Sequence, residues 1–154
     1  MENIRWNTDL EIGIDVIDAQ HKRLVDYIND LNKAISHGHT ETVYQVMEQL
    51  RDYTMDHFAF EEELLEQAGY PLTDSHKQVH RRFEAKVEIM VSELGNGTDP
   101  MGVARRARNT MMVWLIQHIR HEDQDYAPFV KKILNKNESW VNAALKRVFG
   151  TTRA

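Results

Sequence analysis

Four long stretches of apolar residues at helical spacing, separated by short breaks that contain glycine or proline, constrain the fold of this chain most. The apolar side chains recur with the period of an amphipathic helix, and no stretch sustains the period of two that marks a strand. The breaks are SHGHT at 36–40, GYP at 69–71 and GNGTDP at 95–100. Because such short turns make consecutive helices antiparallel, the sequence predicts an all-α fold, an up-down-up-down antiparallel four-helix bundle.

The ends of these helices are predicted from capping residues and helix breakers. Asp18 can cap the first helix, Thr40 the second and Asp99 the fourth, because short polar side chains accept hydrogen bonds from free backbone N–H groups. An N-terminal extended arm precedes the first cap. These signals place the helices at 18–36, 40–68, 73–94 and 100–134.

The end of the chain is predicted to be a separate segment. Residues 1–134 would form the bundle domain, and residues 135–154 a C-terminal amphipathic extension with a short extra helix near 138–149. Apolar side chains share one face of that helix: Val141, Leu145, Val148 and Phe149. Packing on the bundle is the preferred interpretation, and docking to a partner or to a membrane surface is the alternative.

Composition excludes several classes of function. The net charge is -5 and the basic residues are scattered, which argues against nucleic-acid binding. Cysteine is absent, so disulfides and thiolate metal sites are excluded. The first twenty residues hold no continuous apolar run, so neither a signal peptide nor a membrane span is predicted, and the expected location is the cytoplasm.

Histidine is frequent, with 8 in 154 residues, and its positions point to a metal site. Spacing alone is weak evidence, because about one His-x-x-x-Glu/Asp pair is expected by chance. At about 100° per residue, however, every helix places histidine on its apolar face, and the second helix adds an inward glutamate. A lone core histidine is usually just hydrogen-bonded, but this set needs shared compensation, which a metal ion supplies. The inward residues are His21, His57, Glu61, His76, His80 and His118.

The stretches that carry these residues resemble the hemerythrin family in its single-domain bacterial form. They read GIDVIDAQHKRLVDYINDL, HFAFEEELL, HKQVHRRF and WLIQHIRHEDQDY, and the resemblance covers residues 1 to about 132. It implies a non-haem centre of two iron ions (Fe²⁺/Fe³⁺) with an oxo or hydroxo bridge. It implies that one iron is held by His76, His80 and His118. It implies that the other is held by His21 and His57, and that both are bridged by Glu61 and Asp123.

Two glutamates near these ligands raise separate questions. A straight helix brings Glu122 within about 40° of His118 but leaves Asp123 about 140° away. The resemblance nevertheless selects Asp123, so a local π-type distortion is predicted between residues 118 and 123, and a regular helix there would favour Glu122. On the second helix, Glu62 is predicted to point to solvent.

The resemblance implies a protein that binds O2 reversibly, for storage or delivery, and is not an enzyme. An apolar O2 pocket is predicted beside the ligands, and ordinary core filling is compatible with it: Leu24, Phe58, Trp114, Leu115 and Ile119. A protein recipient of O2 is a possible partner. One alternative is an O2 or iron sensor that acts through a partner. The other is a di-iron oxidase or peroxidase, which the absence of any Glu-x-x-His motif disfavours.

Overall fold

A computed structural model describes residues 3–97, 99–134 and 138–150, and within these ranges every regular element is helical. The prediction of an all-α fold is therefore confirmed. The helices are α1 (Asp15–Ser36), α2 (Thr40–Ala68), α3 (Thr73–Gly95), α4 (Pro100–Gln117), a π-helical segment (His118–Asp123), α5 (Gln124–Leu134) and α6 (Glu138–Phe149).

Helices α1 to α4 pack as a bundle around one apolar core. Each packs against the next along the chain, and α4 returns to α1, which closes the bundle. The turns between them hold only a few residues, so neighbours run in opposite directions, as predicted. The core between the helices consists mainly of fully buried aliphatic and aromatic side chains, among them Leu24, Ile28, Leu50, Phe83, Val87 and Leu115.

Two of the predicted helix caps are wrong, although the helix bounds agree closely. The third, Asp99, stands at the cap position of α4 but makes no side-chain hydrogen bond there. Helix α1 begins three residues before Asp18, whose carboxylate instead accepts the backbone N–H groups of Ile12 and Gly13 at 2.9 and 3.2 Å. Thr40 is the first residue of α2 rather than its cap. The end of α2 is as predicted: Gly69 adopts φ 65°, the left-handed conformation that glycine tolerates best.

The N-terminal arm is fastened to the bundle and ends before α1. Asn29 of α1 bonds both backbone groups of Ile4, accepting its N–H at 2.9 Å and donating to its carbonyl at 3.0 Å. A short 3₁₀ turn follows at Thr8–Leu10. The side chains of Leu10, Ile12 and Ile14 are buried, so this arm covers part of the core.

Helix α6 packs on the outside of α2, as the preferred interpretation predicted. Phe149 is 2% exposed and its ring lies 5.5 Å from that of Tyr53 and 6.0 Å from that of Phe60. Arg147 pairs with Glu63 at 2.7 Å. The predicted domain boundary adjoins residues 135–137, which lie outside the described residues. Among the described helices none has the length and apolarity that crossing a membrane requires.

Candidate metal centre

The seven side chains that the sequence predicted as ligands all lie in one buried region of the bundle. Each is at most 5% exposed. They come from four elements: His21 from α1, His57 and Glu61 from α2, His76 and His80 from α3, and His118 and Asp123 from the π-helical segment. The other three histidines are exposed: His37, His39 and His121.

Glu61 lies between two groups of imidazoles and presents one carboxylate oxygen to each. Its Oε1 is 2.7 Å from Nε2 of His76, 3.1 Å from that of His80 and 3.5 Å from that of His118. Its Oε2 is 3.3 Å from Nε2 of His57. Potential ligand atoms lie within 4.8 Å of one another in two groups that share Glu61, one with His76, His80 and His118, the other with His21 and His57.

Asp123, at the end of the π-helical segment, lies between the same two groups of imidazoles. Its Oδ1 is 2.9 Å from Nε2 of His118 and 3.4 Å from that of His76, whereas its Oδ2 is 3.0 Å from Nε2 of His21. Each carboxylate therefore presents one oxygen to the larger group of imidazoles and the other to one histidine of the smaller group. Oε1 of Glu61 lies near three imidazoles, whereas Oδ1 of Asp123 lies near two. A pair of metal ions bridged by two carboxylates needs this arrangement.

The π-helical segment explains why Asp123 points inward. A π-helix has more residues per turn than an α-helix, so the fifth residue after His118 returns to the face of that histidine. The predicted distortion between residues 118 and 123 is confirmed. Glu122 has an outer position instead: it is half-buried, and its carboxylate accepts a hydrogen bond from Nδ1 of His118.

Three of the imidazoles have a hydrogen-bond partner on the side away from the carboxylates. Nδ1 of His57 lies 2.7 Å from Oε1 of Gln20, and Nδ1 of His80 lies 2.8 Å from Oε2 of Glu62. Glu122 accepts from His118 in the same way. Carboxylate and carbonyl oxygens only accept, so these contacts place a proton on Nδ1, and in the neutral imidazole they leave the Nε2 lone pair for a metal ion.

The prediction that Glu62 points to solvent is wrong. Its side chain is 13% exposed and lies between His80 and Arg81. A helical wheel places Glu62 about 100° from Glu61, which is outside the core stripe but still faces the neighbouring helix α3. The apolar pattern of α2 by itself carries no information about where α3 packs, so it could not predict this contact.

Contacts between imidazoles and carboxylates oppose the effect of burial on the charges of the centre. Burial raises the pKa of Glu61, but hydrogen bonds from surrounding imidazoles, His118 first, outweigh it and hold that pKa well below its usual range. Burial alone lowers the pKa of His76, but the nearby Asp123 and Glu61 carboxylates raise it to about 9. For His57 burial dominates, and its pKa falls. The carboxylates therefore remain ionised inside the core.

Several buried polar atoms of the centre have no partner in hydrogen-bond geometry among the described residues, although ligand atoms of neighbouring side chains lie close to most of them. They are both ring nitrogens of His21, Nε2 of His57 and both carboxylate oxygens of Asp123. Burying such atoms without compensation costs roughly 2–7 kcal/mol each. Except for Nδ1 of His21, these atoms belong to or lie beside the carboxylates of Asp123 and Glu61. Cations bound between the imidazoles and these carboxylates would therefore satisfy them together. The residues present fit a metal centre.

Tyr126, which lies in the WLIQHIRHEDQDY stretch, is a further polar residue of the centre and was not among the predicted site residues. Its hydroxyl donates to Oε2 of Glu61 at 2.9 Å, and its side chain is fully buried. Burial, together with the charges of Asp123 and Glu61, raises the pKa of Tyr126 well above its usual value. The hydroxyl thus keeps its proton and orients the Glu61 carboxylate.

Replacing Tyr126 with Phe is expected to destabilise the metal-free protein by about 1.5–3 kcal/mol, because a hydrogen bond to a buried carboxylate is lost. The measurement is urea unfolding followed by circular dichroism in the presence of a chelator. Tyr27→Phe is the matched control, since the Tyr27 hydroxyl makes only an exposed contact with Arg23. Equal losses in the two variants would mean that Tyr126 does not support Glu61.

The residues predicted to form an apolar pocket lie beside the imidazoles. Phe58 stacks on His80 with ring centroids 3.8 Å apart, and Trp114 stacks on His118 at 4.4 Å. Leu24, Leu115 and Ile119 are at most 2% exposed, whereas Trp114 is half-buried. These side chains keep water away from one side of the centre. Their contact with O2 stays a prediction.

Comparison with known proteins gives a consistent result. The family described as the Hemerythrin HHE cation binding domain matches residues 12–130. A protein named Bacteriohemerythrin from Stenotrophomonas maltophilia (strain R551-3) is 42% identical over 151 residues, which covers 94% of this chain and 97% of that protein. Bacteriohemerythrin from Pseudomonas aeruginosa (strain LESB58) is 37% identical over 156 residues, 97% of this chain and 100% of that protein. A solved structure of wild-type hemerythrin superposes with a TM-score of 0.75 at 23% identity, covering 84% of this chain and 98% of that one, and shows the likeness of fold.

Proposed function

The chain belongs to the hemerythrin family, and we propose that it binds O2 reversibly at a non-haem centre of two irons, for storage or delivery in the cytoplasm. The family and the buried histidine–carboxylate cluster establish a hemerythrin-type, metal-binding helical bundle. The number of irons, their oxo or hydroxo bridge and the reversible use of O2 are the proposal.

One observation carries it: each of two carboxylates directs one oxygen toward two or three imidazoles of the larger group and the other oxygen toward one histidine of the smaller group. His76, His80 and His118 would hold one iron, and His21 and His57 the other. Glu61 and Asp123 would bridge them. Five nitrogens and two carboxylates are too many for one tetrahedral zinc, and imidazole suits iron.

Paired ferrous ions supply a position for O2 and the electrons that hold it reversibly. The two proposed iron positions differ in their number of histidine ligands, because one group has three imidazoles and the other has two. Room for O2 is therefore proposed beside His21 and His57. Leu24, Phe58 and Ile119 are fully buried near the ligands, and a dry surrounding slows loss of bound O2 and proton leakage.

Reversible binding is preferred over an oxidase or peroxidase because imidazoles outnumber carboxylates among the proposed ligands. Neutral imidazoles supply less negative charge than the carboxylate-rich shells of di-iron oxidases, so they favour high-valent iron less. A sensor needs a surface that signals to a partner. The amphipathic α6, the candidate for such a surface, already buries Phe149 and Val141 against the bundle.

Iron is expected to raise the melting temperature of this protein strongly. Free metal at 1,000 times its dissociation constant stabilises a fold by about 4.1 kcal/mol per site. For a chain of this size, each kcal/mol corresponds to about 2–4 °C, so one site adds about 8–16 °C. Anaerobic calorimetry with Fe(II) and with chelator measures the shift. Coinciding melting temperatures would show that the buried polar atoms are not compensated by metal.

The proposal is tested by loading the metal-free chain with Fe(II) without air, then alternating O2 and argon while recording visible absorption. A new band that appears under O2 and disappears under argon over repeated cycles supports reversible binding. Immediate, permanent conversion to a diferric spectrum, with catalytic consumption of an added reductant or peroxide, would contradict it and favour an oxidase or peroxidase.

A further inference from the structure

A small cavity connects the proposed metal centre with the protein surface at the α2–α3 turn. Its volume is about 130 Å³, and His76 forms part of its wall together with side chains from the turn and from the helix that follows the π-helical segment. At about 30 Å³ per molecule, it has room for about four waters. No member of the His21–His57 pair lines it.

The cavity reaches the centre at its most accessible ligand. His76 is 5% exposed, whereas the other six predicted ligands are 2% exposed or less. Ser75 and Leu72 stand at the outer end, and Leu72 is 55% exposed. The cavity is therefore open to solvent and has in its wall His76, whose Nε2 lies 2.7 Å from Glu61 and 3.4 Å from Asp123.

Carboxylates mark the wall of this cavity at two depths. Asp125 is exposed, and Glu122 is half-buried with its carboxylate on His118. Lys77, on the same helix as His76, is paired with Glu66, so its charge is partly neutralised. A hydrated divalent cation that enters the cavity would therefore meet carboxylate oxygens first and imidazoles behind them, and both are ligands for such ions.

We propose that this cavity is the route by which ferrous iron enters the centre, with Asp125 and Glu122 attracting the cation and His76 receiving it. The inference rests on the proposed function, because it needs a metal-free centre that takes up iron. O2 is uncharged and gains nothing from the two carboxylates, so their presence favours a cation as the occupant of this cavity.

The test compares tryptophan at two exposed positions of α3. Ser75→Trp fills the mouth of the cavity, whereas Gln78→Trp adds the same side chain to an exposed position that does not line it. Metal-free protein is mixed with Fe(II) without air, and free Fe(II) is quenched with a chelator at successive times. Because the whole cavity has room for only about four waters, Ser75→Trp is expected to slow uptake by about tenfold or more, and Gln78→Trp to leave it unchanged.

A second variant tests the charge. Asp125→Asn is expected to slow Fe(II) uptake by about two- to fivefold at low ionic strength, with a smaller effect in high salt and the same final iron content. Equal uptake rates for Ser75→Trp and Gln78→Trp would overturn the route. Slower O2 binding by iron-loaded Ser75→Trp with unchanged Fe(II) uptake would also overturn it and assign the cavity to O2. A wild-type chain that takes up no iron would instead overturn the proposed function itself.

Discussion

Glu61→Gln is expected to abolish the two-iron centre while leaving the bundle folded. In the wild type, each oxygen of this carboxylate faces a different imidazole group, and an amide offers only one oxygen and less negative charge. The loaded variant should hold at most one iron per chain, measured by metal analysis after desalting. Far-ultraviolet circular dichroism should still report a helical protein.

Two variants on the same helix calibrate this result. Glu48 is exposed, so Glu48→Gln should retain both irons. Among the proposed ligands, Glu62 contacts only His80, at its outer nitrogen Nδ1, and loss of such an outer partner typically costs about 10- to 100-fold in metal affinity. Glu62→Gln should therefore retain both irons at saturating Fe(II) and lose them sooner to a chelator. Equal iron content in Glu61→Gln and Glu48→Gln would mean that Glu61 is not a ligand.

Asp123→Asn is expected to be far more damaging than Glu122→Gln, although the two residues are adjacent. Asp123 is fully buried and spans both imidazole groups, whereas Glu122 is half-buried and bonds to the outer nitrogen of His118. Asp123→Asn should lose the second iron. Glu122→Gln should weaken iron binding by about 10- to 100-fold without changing the stoichiometry.

Chelator competition with metal analysis distinguishes these two variants. The reverse ranking, with Glu122→Gln losing an iron and Asp123→Asn retaining both, would mean that the π-helical geometry does not place the bridging carboxylate. Titration of each variant with the same chelator gives their relative affinities for iron. Circular dichroism of the same samples shows separately whether either variant is less well folded.

The bundle and most of the inward side chains were predictable because they follow from helical periodicity. Apolar spacing and glycine or proline breaks fixed the helix bounds to within a few residues, and the inward faces contained His57, Glu61 and His80. Caps were less predictable. The Asp18 side chain bonds to backbone groups of the arm, whose path no local pattern specifies.

Residues that act through a neighbouring helix were not predictable from periodicity. Gln20 and Glu62 lie beside the apolar stripes of their own helices and reach histidines on other elements. Asp123 needed the family resemblance, because a regular helix points it away from His118 and only a π-helical turn brings it back. The cavity beside His76 likewise depends on three elements meeting, which no single stretch of sequence contains.

The central claim, that two irons in this chain bind one O2 reversibly, is tested most directly by the stoichiometry of O2. Protein loaded with Fe(II) and desalted without air is titrated with known amounts of O2 in a sealed cell, and the gas released under vacuum is then measured. The account predicts uptake of one O2 for every two irons and recovery of nearly all of it. Uptake without release, or O2 consumption that continues beyond this ratio, would contradict it.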